Sequence, residues 1–324
     1  MTVSRVVNGS ERVRPTTRRR VERAMRELAY IPNRAARSLV VNKLGVLALV
    51  IPDISNPFFP LLARGAEAAA RAAGYTVVLG NSDEEFEREN AYLRAVCALR
   101  VDGVLLAPSG HRSRESLDLL ARQRIPVVLI DRDVEGVPND VVRGESRRSA
   151  RVLTEHLIQH GHQRIGLISG PIDISTARER ERGFRDALHD GELEVSRSLV
   201  RHAPYTREGG CHAGLSLLSG TERPTAVVTA NNFLAFGLLD AARQLGVRVP
   251  DELAIVTFDD VEIVTDSPFF TCAAQPAEAM GRTAVERLIA RLGGDESPVC
   301  ETVLHTDVLI RRSCGCGQLQ AIES

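Results

Sequence analysis

YIPNRAARSLVVNKLGVLALVIPDISNPFF, residues 30–59, marks where one kind of chain gives way to another. Pro32 pushes Ile31 out of helical space, and Asn33 can cap whatever follows. Arg34-Ala35-Ala36-Arg37-Ser38-Leu39 spans about one and a half helical turns. A helix that short does not hold alone, because its nucleation is costly. Small alanines, flanking arginines and one projecting leucine suit the minor groove of DNA, where apolar side chains wedge between base steps. An ordinary interdomain linker is the bland alternative. From Leu44 the chain turns apolar, and Leu44–Ile51 is a short bounded run typical of a buried parallel strand.

Upstream of that boundary the chain is short and basic. Val3, Val6 and Val7 share one helical face, and Asn8-Gly9 then stops the helix. Ser4 and Arg5 lie off that face, free to reach base edges and phosphates. A second helix begins near Pro15, with Val21, Ala24, Met25 and Leu28 as its apolar stripe. Residues 1–43 carry ten Arg, one Lys and three Glu, a net +8, whereas the 324-residue chain as a whole is −1. A basic end on an acidic body points to a polyanion partner for the end only.

Downstream, strands and helices alternate. Thr76–Leu79, Gly103–Ala107 and Val127–Ile130 read as strands separated by helical patterns over Phe59–Ala73, Glu84–Leu99 and Ser113–Gln123. The pattern then repeats. Helices over Arg148–His160, Arg178–His189, Gly209–Leu218 and Asn231–Leu245 intersperse strands at Arg164–Ser169, Leu199–His202, Ala226–Thr229 and Leu253–Thr257. A last helix, Pro276–Leu292, precedes one apolar run, Val303–Ile310. The reading is α/β, with two doubly wound parallel-sheet subdomains behind a small all-α segment. In such sheets ligands bind beyond the carboxyl ends of the strands, so the site falls in the cleft between the two sheets.

Other classes are poorly served. No apolar run approaches a membrane span and the N-terminus is not a signal peptide, so a cytoplasmic location without membrane partners is expected. The six cysteines lack framework spacing and read as thiols. His156 and His160 stand i, i+4 on a helix, but no Glu follows His156 and no third metal ligand is assignable. Cys314-Gly315-Cys316 has chelating chemistry but no partner at a metal-site spacing. There is no G-x-S-x-G elbow, and the single lysine, Lys43, lacks a phosphate-binding glycine loop. The expectation is no catalytic residue, no metal and no cofactor.

Residues 2–39, TVSRVVNGSERVRPTTRRRVERAMRELAYIPNRAARSL, closely resemble the headpiece of the lac repressor family of transcriptional regulators. The resemblance continues through the body: Asp53-Ile54-Ser55-Asn56-Pro57-Phe58-Phe59, His156-Leu157-Ile158, Gly161-His162-Gln163-Arg164-Ile165, Arg180-Glu181-Arg182-Gly183-Phe184, Ala230-Asn231-Asn232, Phe258-Asp259-Asp260 and Gln275-Pro276. By that resemblance Thr2–Asn8 is a recognition helix and residues 30–43 a hinge helix and linker. Thr2, Ser4, Arg5, Asn8, Asn33, Arg34, Ala36 and Leu39 would then contact DNA, with Leu39 levered into the minor groove. The family's first helix and following turn are absent, Met1 falling inside the recognition helix, so residues 1–29 form a partial helix-turn-helix and operator binding by this chain is expected to be weak or absent.

The resemblance also implies a periplasmic-binding-protein-like body that exchanges the chain between subdomains near residues 143, 274 and 305. That divides it into 44–143 plus 275–304, 144–274 plus 305–312, and a tail from 313 to 324. Effector contacts would be Asp131, Arg180, Asn231 and Asp259, with Phe58 and Phe59 as the wall and Tyr205 as the stacking aromatic. Gly144-Glu145 stands where many members have Asp-Asn, and Asn232 where many have Asp. The implied function is a ligand-controlled DNA-binding regulator, a repressor sensing a small polar molecule, most simply a sugar. The partners implied are operator DNA, the effector and a second copy, as a dimer or tetramer through Leu61, Leu62, Ala66 and Ala69. The alternative is a cytoplasmic sugar-binding protein with weak or lost DNA binding.

Overall fold

The computed structural model describes residues 3, 6, 13–28, 30, 43–220, 222–260 and 268–316. The chain divides into two compact units, Met1–Gly45 and Val46–Ser324. In the first, Pro15–Glu27 forms helix α1, with proline at its first position, where the missing N–H is no loss. No residue of α1 is buried, and Leu28, at its C-cap, is 78% exposed. The apolar stripe is present but little of it is covered. Val6 and Val13 are buried, while Val3 is exposed. The expected DNA contacts Thr2, Ser4, Arg5, Asn8, Asn33, Arg34, Ala36 and Leu39 lie outside the described residues.

The second unit is built on two sheets. The first holds β1 (Val46–Ile51), β2 (Thr76–Asn81), β3 (Gly103–Leu106), β4 (Val127–Ile130), β5 (Asp140–Gly144) and β11 (Glu301–Leu304), in the order β11-β5-β4-β3-β1-β2. The second holds β6 (Ile165–Ser169), β7 (Val200–His202), β8 (Ala226–Thr229), β9 (Ala254–Phe258), β10 (Thr271–Ala274) and β12 (Asp307–Leu309), in the order β12-β10-β9-β8-β6-β7. All described pairings are parallel except β12 with β10. The two orders are the same pattern used twice. Three connections pass between the sheets: Gly144 to Ser146, Ala274 to Ala277, and Leu304 to Asp307.

Helices cover both faces of each sheet, which is why the strands read as unbroken apolar runs. In β1, Leu47, Leu49 and Ile51 join the core of α2 (Phe58–Ala72) and α9 (Ala277–Leu292). The alternate residues Ala48 and Val50 join that of α3 (Phe86–Leu99) and α4 (Ser113–Arg122). The second sheet repeats this. Val227 and Ile255 pack with α7 (Arg207–Leu218) and α8 (Asn232–Gln244), and Leu167, Val228 and Val256 with α5 (Ser146–Gln159) and α6 (Ser175–Asp190). Helices α2 and α9 approach backbone to backbone. A Cβ on Gly65 would lie 2.0 Å from the Glu278 carbonyl oxygen, and one on Gly281 2.0 Å from that of Leu62.

Two expectations change. The run Val303–Ile310 is not one element: it breaks at His305-Thr306 into β11 and β12, which belong to different sheets. Leu62 and Ala66, expected at the contact with a second copy, are fully buried against α9 in their own core. Leu61 and Ala69 remain partly exposed, and among the exposed apolar residues Val78 and Leu79 of the edge strand β2 and Tyr92 of α3, each 38–45% exposed, lie on neighbouring elements of the same lobe. No helix among the described residues is long and apolar enough to cross a membrane.

Candidate effector cleft

Each residue of the cleft follows the carboxyl end of a strand. Asp53, Asn56, Phe58 and Phe59 come after β1, Glu84 after β2, and Asp131 and Arg132 after β4. From the other sheet come Thr176 and Arg180 after β6, Tyr205 after β7, Asn231 after β8, Asp259 after β9 and Gln275 after β10. All seven residues expected from the sequence — Phe58, Phe59, Asp131, Arg180, Tyr205, Asn231 and Asp259 — line this one cavity. Parallel topology is what gathers them, because it puts every strand's carboxyl end on the same edge.

Asp131 and Asp259 are the paired centre. Both sit one residue past a strand in left-handed backbone, φ 66° and 67°. Each N–H is held by a neighbouring strand, Asp131 by the Val142 carbonyl at 2.8 Å and Asp259 by that of Ala273 at 3.0 Å. Short polar side chains tolerate this conformation better than others. Burial pushes the Asp131 carboxyl up to about 6 against the pull of Arg132 and Arg180, with Asp259 and Glu84 adding to the rise. Burial raises Asp259 too, opposed by Arg180 and by the Gln275 amide, which donates to its Oδ1 at 2.9 Å. Asp131 Oδ1 is buried with no hydrogen-bond partner.

The cations are already engaged. Arg180 donates to the Ala230 carbonyl and, at 3.4 Å, to Ser146 Oγ, and it lies 4.0 Å over the Phe258 ring. Arg132 forms a bidentate pair with Glu84 at 2.6 and 2.7 Å and donates to the Pro108 carbonyl. Its guanidinium stands 5.6 Å over the Tyr205 ring. Gly170 also packs on that ring: a Cβ there would lie 2.2 Å from Tyr205 Cζ. Tyr205 thus lines the cleft, but its ring is occupied by protein and is not a free stacking platform. Phe58 and Phe59, edge to face at 5.0 Å, line the cleft as well but are themselves largely buried in the first core.

Asn231 caps α8, its Oδ1 accepting from the Leu234 N–H at 2.9 Å. The bland role and the functional one coexist, because capping uses the oxygen and leaves the amide nitrogen. Sequence reading missed Asp53, Asn56, Glu84, Arg132, Thr176 and Gln275. Thr176 stands one turn before Arg180 on the same face, and Asn56 and Gln275 fall within quoted motifs, so those signals were present. Glu84 carried none, since only the fold brings β2's end to Arg132.

The cleft is tight. The void measures about 370 Å³ with its mouth, yet only about 20 Å³ is wide enough for solvent, room for one water. Asp131 and Thr176 also line a second, wider chamber with about 230 Å³ for solvent, walled by Asp133, Glu135, Arg143, Arg178 and Arg182 among others. Contacts join the sides: Asn232 Nδ2 donates to Asn56 Oδ1 at 3.0 Å, and the Asp133 N–H to Ser175 Oγ at 3.0 Å. The departure Gly144-Glu145 falls at a connection. Glu145 accepts from the His305 ring and the Thr306 N–H, fastening the first connection to the third.

Residues 1–33 match the family model "Bacterial regulatory proteins, lacI family", and residues 154–314 match "Periplasmic binding protein-like domain". The ribose operon repressor of Halalkalibacterium halodurans is 34% identical, over 98% of this chain and 94% of its own. A CelR–cellobiose complex superposes with a TM-score of 0.75 at 33% identity, covering 96% of this chain and 94% of that one. The lac repressor dimer bound to operator and the anti-inducer ONPF gives 0.82 at 25% identity, covering 97% and 94%. With the doubled strand order and the basic N-terminal segment, these matches show that the chain belongs to the lacI family of ligand-controlled, DNA-binding transcriptional regulators.

Proposed function

We propose that this protein is a cytoplasmic, dimeric repressor whose cleft takes a small neutral sugar. The observation that carries the effector class is the charge of the lining: Glu84 and Arg132 pair with each other, which leaves three carboxyl groups, Asp53, Asp131 and Asp259, against one guanidinium, Arg180. Such a lining repels phosphate and carboxylate groups. It accepts hydrogen bonds from neighbouring hydroxyls, which is how a polyol presents itself. Phe58 and Phe59 offer the apolar face of a sugar ring a wall. A ribose operon repressor and a CelR–cellobiose complex among the similar proteins support the same class, and a PurR repressor among them makes nucleosides the rival to test.

The tightness of the cleft supports coupling. A sugar has no room until the lobes part, so binding and lobe movement are linked. Movement at the three connections would turn one lobe against the other in each subunit and so change the spacing of paired headpieces on a two-fold operator. The second copy is expected on the β2 and α3 surface around Val78, Leu79 and Tyr92. The domain limits 44–143 plus 275–304 and 144–274 plus 305–312 serve as the working boundaries of the lobes. No catalytic role is assigned to any residue.

Thermal unfolding against a panel of neutral sugars, sugar phosphates and nucleosides tests the class, because a ligand of the folded state alone raises its melting temperature. Stabilisation by phosphorylated sugars only would overturn it. Gel shift on upstream DNA with and without the stabilising sugar tests regulation. A sugar that binds while DNA does not would favour a sugar-binding protein without operator function, a reading that the uncovered face of α1 also favours.

A further inference from the structure

Away from the cleft, the fold joins two features that the sequence left apart. His156 lies on α5 with its side chain buried. Cys314 and Cys316 follow β12, and the chain there is bolted to the second sheet. Ser313 donates from Oγ to the Ile255 carbonyl at 2.6 Å and accepts from the Thr271 N–H at 2.8 Å. Gly315 then adopts φ 77°, a left-handed conformation that glycine takes without strain, and reverses the chain. The reversal brings Cys316 Sγ within 3.3 Å of His156 Nε2. One ligand atom from each of His156, Cys314 and Cys316 lies within 4.8 Å of the others.

We propose that His156, Cys314 and Cys316 form a binding site for a thiophilic metal ion of the Zn²⁺ or Cu⁺ kind. The donor set decides the class: two sulfurs and an imidazole suit soft or borderline ions and not Mg²⁺ or Ca²⁺. The separations fit. Around a tetrahedral zinc, ligands at about 2.0–2.3 Å from the metal stand about 3.5–3.8 Å from one another, so the cluster closes with separations shortened by about 1 Å at most. A neighbouring polar group is in place as well: the Thr271 hydroxyl lies 3.1 Å from Cys314 Sγ and 3.0 Å from the Arg311 carbonyl, so its one proton can turn to the sulfur of a metal-bound thiolate, the kind of contact that orients a metal ligand. Cys314 is buried and Cys316 half-exposed, so the site can be reached from the side of Cys316. A disulfide within Cys-Gly-Cys would give the buried imidazole no part, whereas ligation uses all three groups. A bound ion would pin the C-terminal segment to α5, the helix that opens at the first connection between the lobes.

The test uses the full chain, reduced and freed of metal, titrated with Zn²⁺ against a chromophoric chelator and separately with Co²⁺. The expected result is one ion per chain, with a sulfur-to-cobalt charge-transfer band in the near ultraviolet and a raised melting temperature. Cys314→Ser and His156→Ala should each weaken binding at least about tenfold. Those two positions are buried, so Cys316→Ser, at the half-exposed ligand, keeps the test decisive if they fail to fold, and Cys97→Ser should leave binding unchanged. Stoichiometric binding that persists in the Cys314→Ser/Cys316→Ser variant would overturn the site. So would an absence of binding by the reduced protein. Two thiols lost to a disulfide in air, with no uptake of ion under reduction, would show a redox pair in its place.

Discussion

The two lobes repeat one strand order, apart from the antiparallel β12, and their paired aspartates differ in how one oxygen is satisfied. Each places an aspartate past its fourth strand, in the same left-handed backbone, with its N–H tied to the next strand. In the second lobe Asp259 is held by the Gln275 amide. In the first, Asp131 has a buried oxygen without a partner and relies on charge from Arg132, 3.6 Å away. A repeated fold therefore yields one pre-set carboxylate and one with an acceptor to spare. An effector gains more at the second kind, because it satisfies a group that is otherwise costly to bury.

If Asp131 depends on Arg132, breaking that support should have the largest effect. Arg132→Met leaves the half-buried Glu84 without its partner and the buried Asp131 with Arg180 as its remaining cation, and unfolding in urea should show a loss of about 3 kcal/mol, at the low end for a broken buried pair. Adding Glu84→Gln should recover a large part. A single variant as stable as the parent would mean the pair is screened by solvent. In the second lobe Arg180→Ala should cost about 2–4 kcal/mol of effector affinity in calorimetry, as for a buried charge removed from its partners. Because Arg180 also ties α6 to the Ala230 carbonyl and Ser146, stability falls too, and the measurement belongs well below the melting temperature.

The asymmetry also has a signature in pH. Asp131 holds its proton up to about pH 6 in the folded chain, above its ordinary value of 3.8. Between those values the folded state binds more protons than the unfolded one, so stability falls as pH rises through the window. The full difference is about 3 kcal/mol. Asp131→Asn should flatten that part of the stability–pH curve, and urea midpoints at several pH values measure it. An Asp131→Asn curve parallel to the parent's would assign the fall to another group, Asp259 first.

Much of this was legible in the chain because it is local. The strands are buried on both faces and read as apolar runs, and the family motifs fall at strand ends, so topology alone carried seven residues to one cavity. What escaped depends on distance. Glu84 and Arg132 are 48 residues apart, and nothing near either announces the pair. Asp140–Gly144, DVVRG, is too short and polar to read as a strand, yet it lies inside the first sheet. Tyr205 was legible as an aromatic beside the cleft, but not as a ring already covered by Arg132. His156 and Cys316 are 160 residues apart and meet only because β12 returns to the second sheet.

The smallest effect concerns Asn232, at the first position of α8. Asn56 Oδ1 accepts from the Phe58 N–H at 3.1 Å, so the atom facing Asn232 is an oxygen and Asn232 must present its nitrogen. An aspartate here would have no donor unless protonated, so asparagine supplies a bond between lobes that aspartate would not. Asn232→Ala removes that bond but leaves Asn56 satisfied by the backbone. The cost is therefore that of one hydrogen bond, about 1 kcal/mol, with no stranded acceptor beyond it. Because the bond closes lobes that must part to admit a sugar, its loss should raise sugar affinity by up to about fivefold. Calorimetry on parent and variant reads this directly. Unchanged affinity with lowered stability would show that Asn232 braces α8 and takes no part in holding the cleft closed.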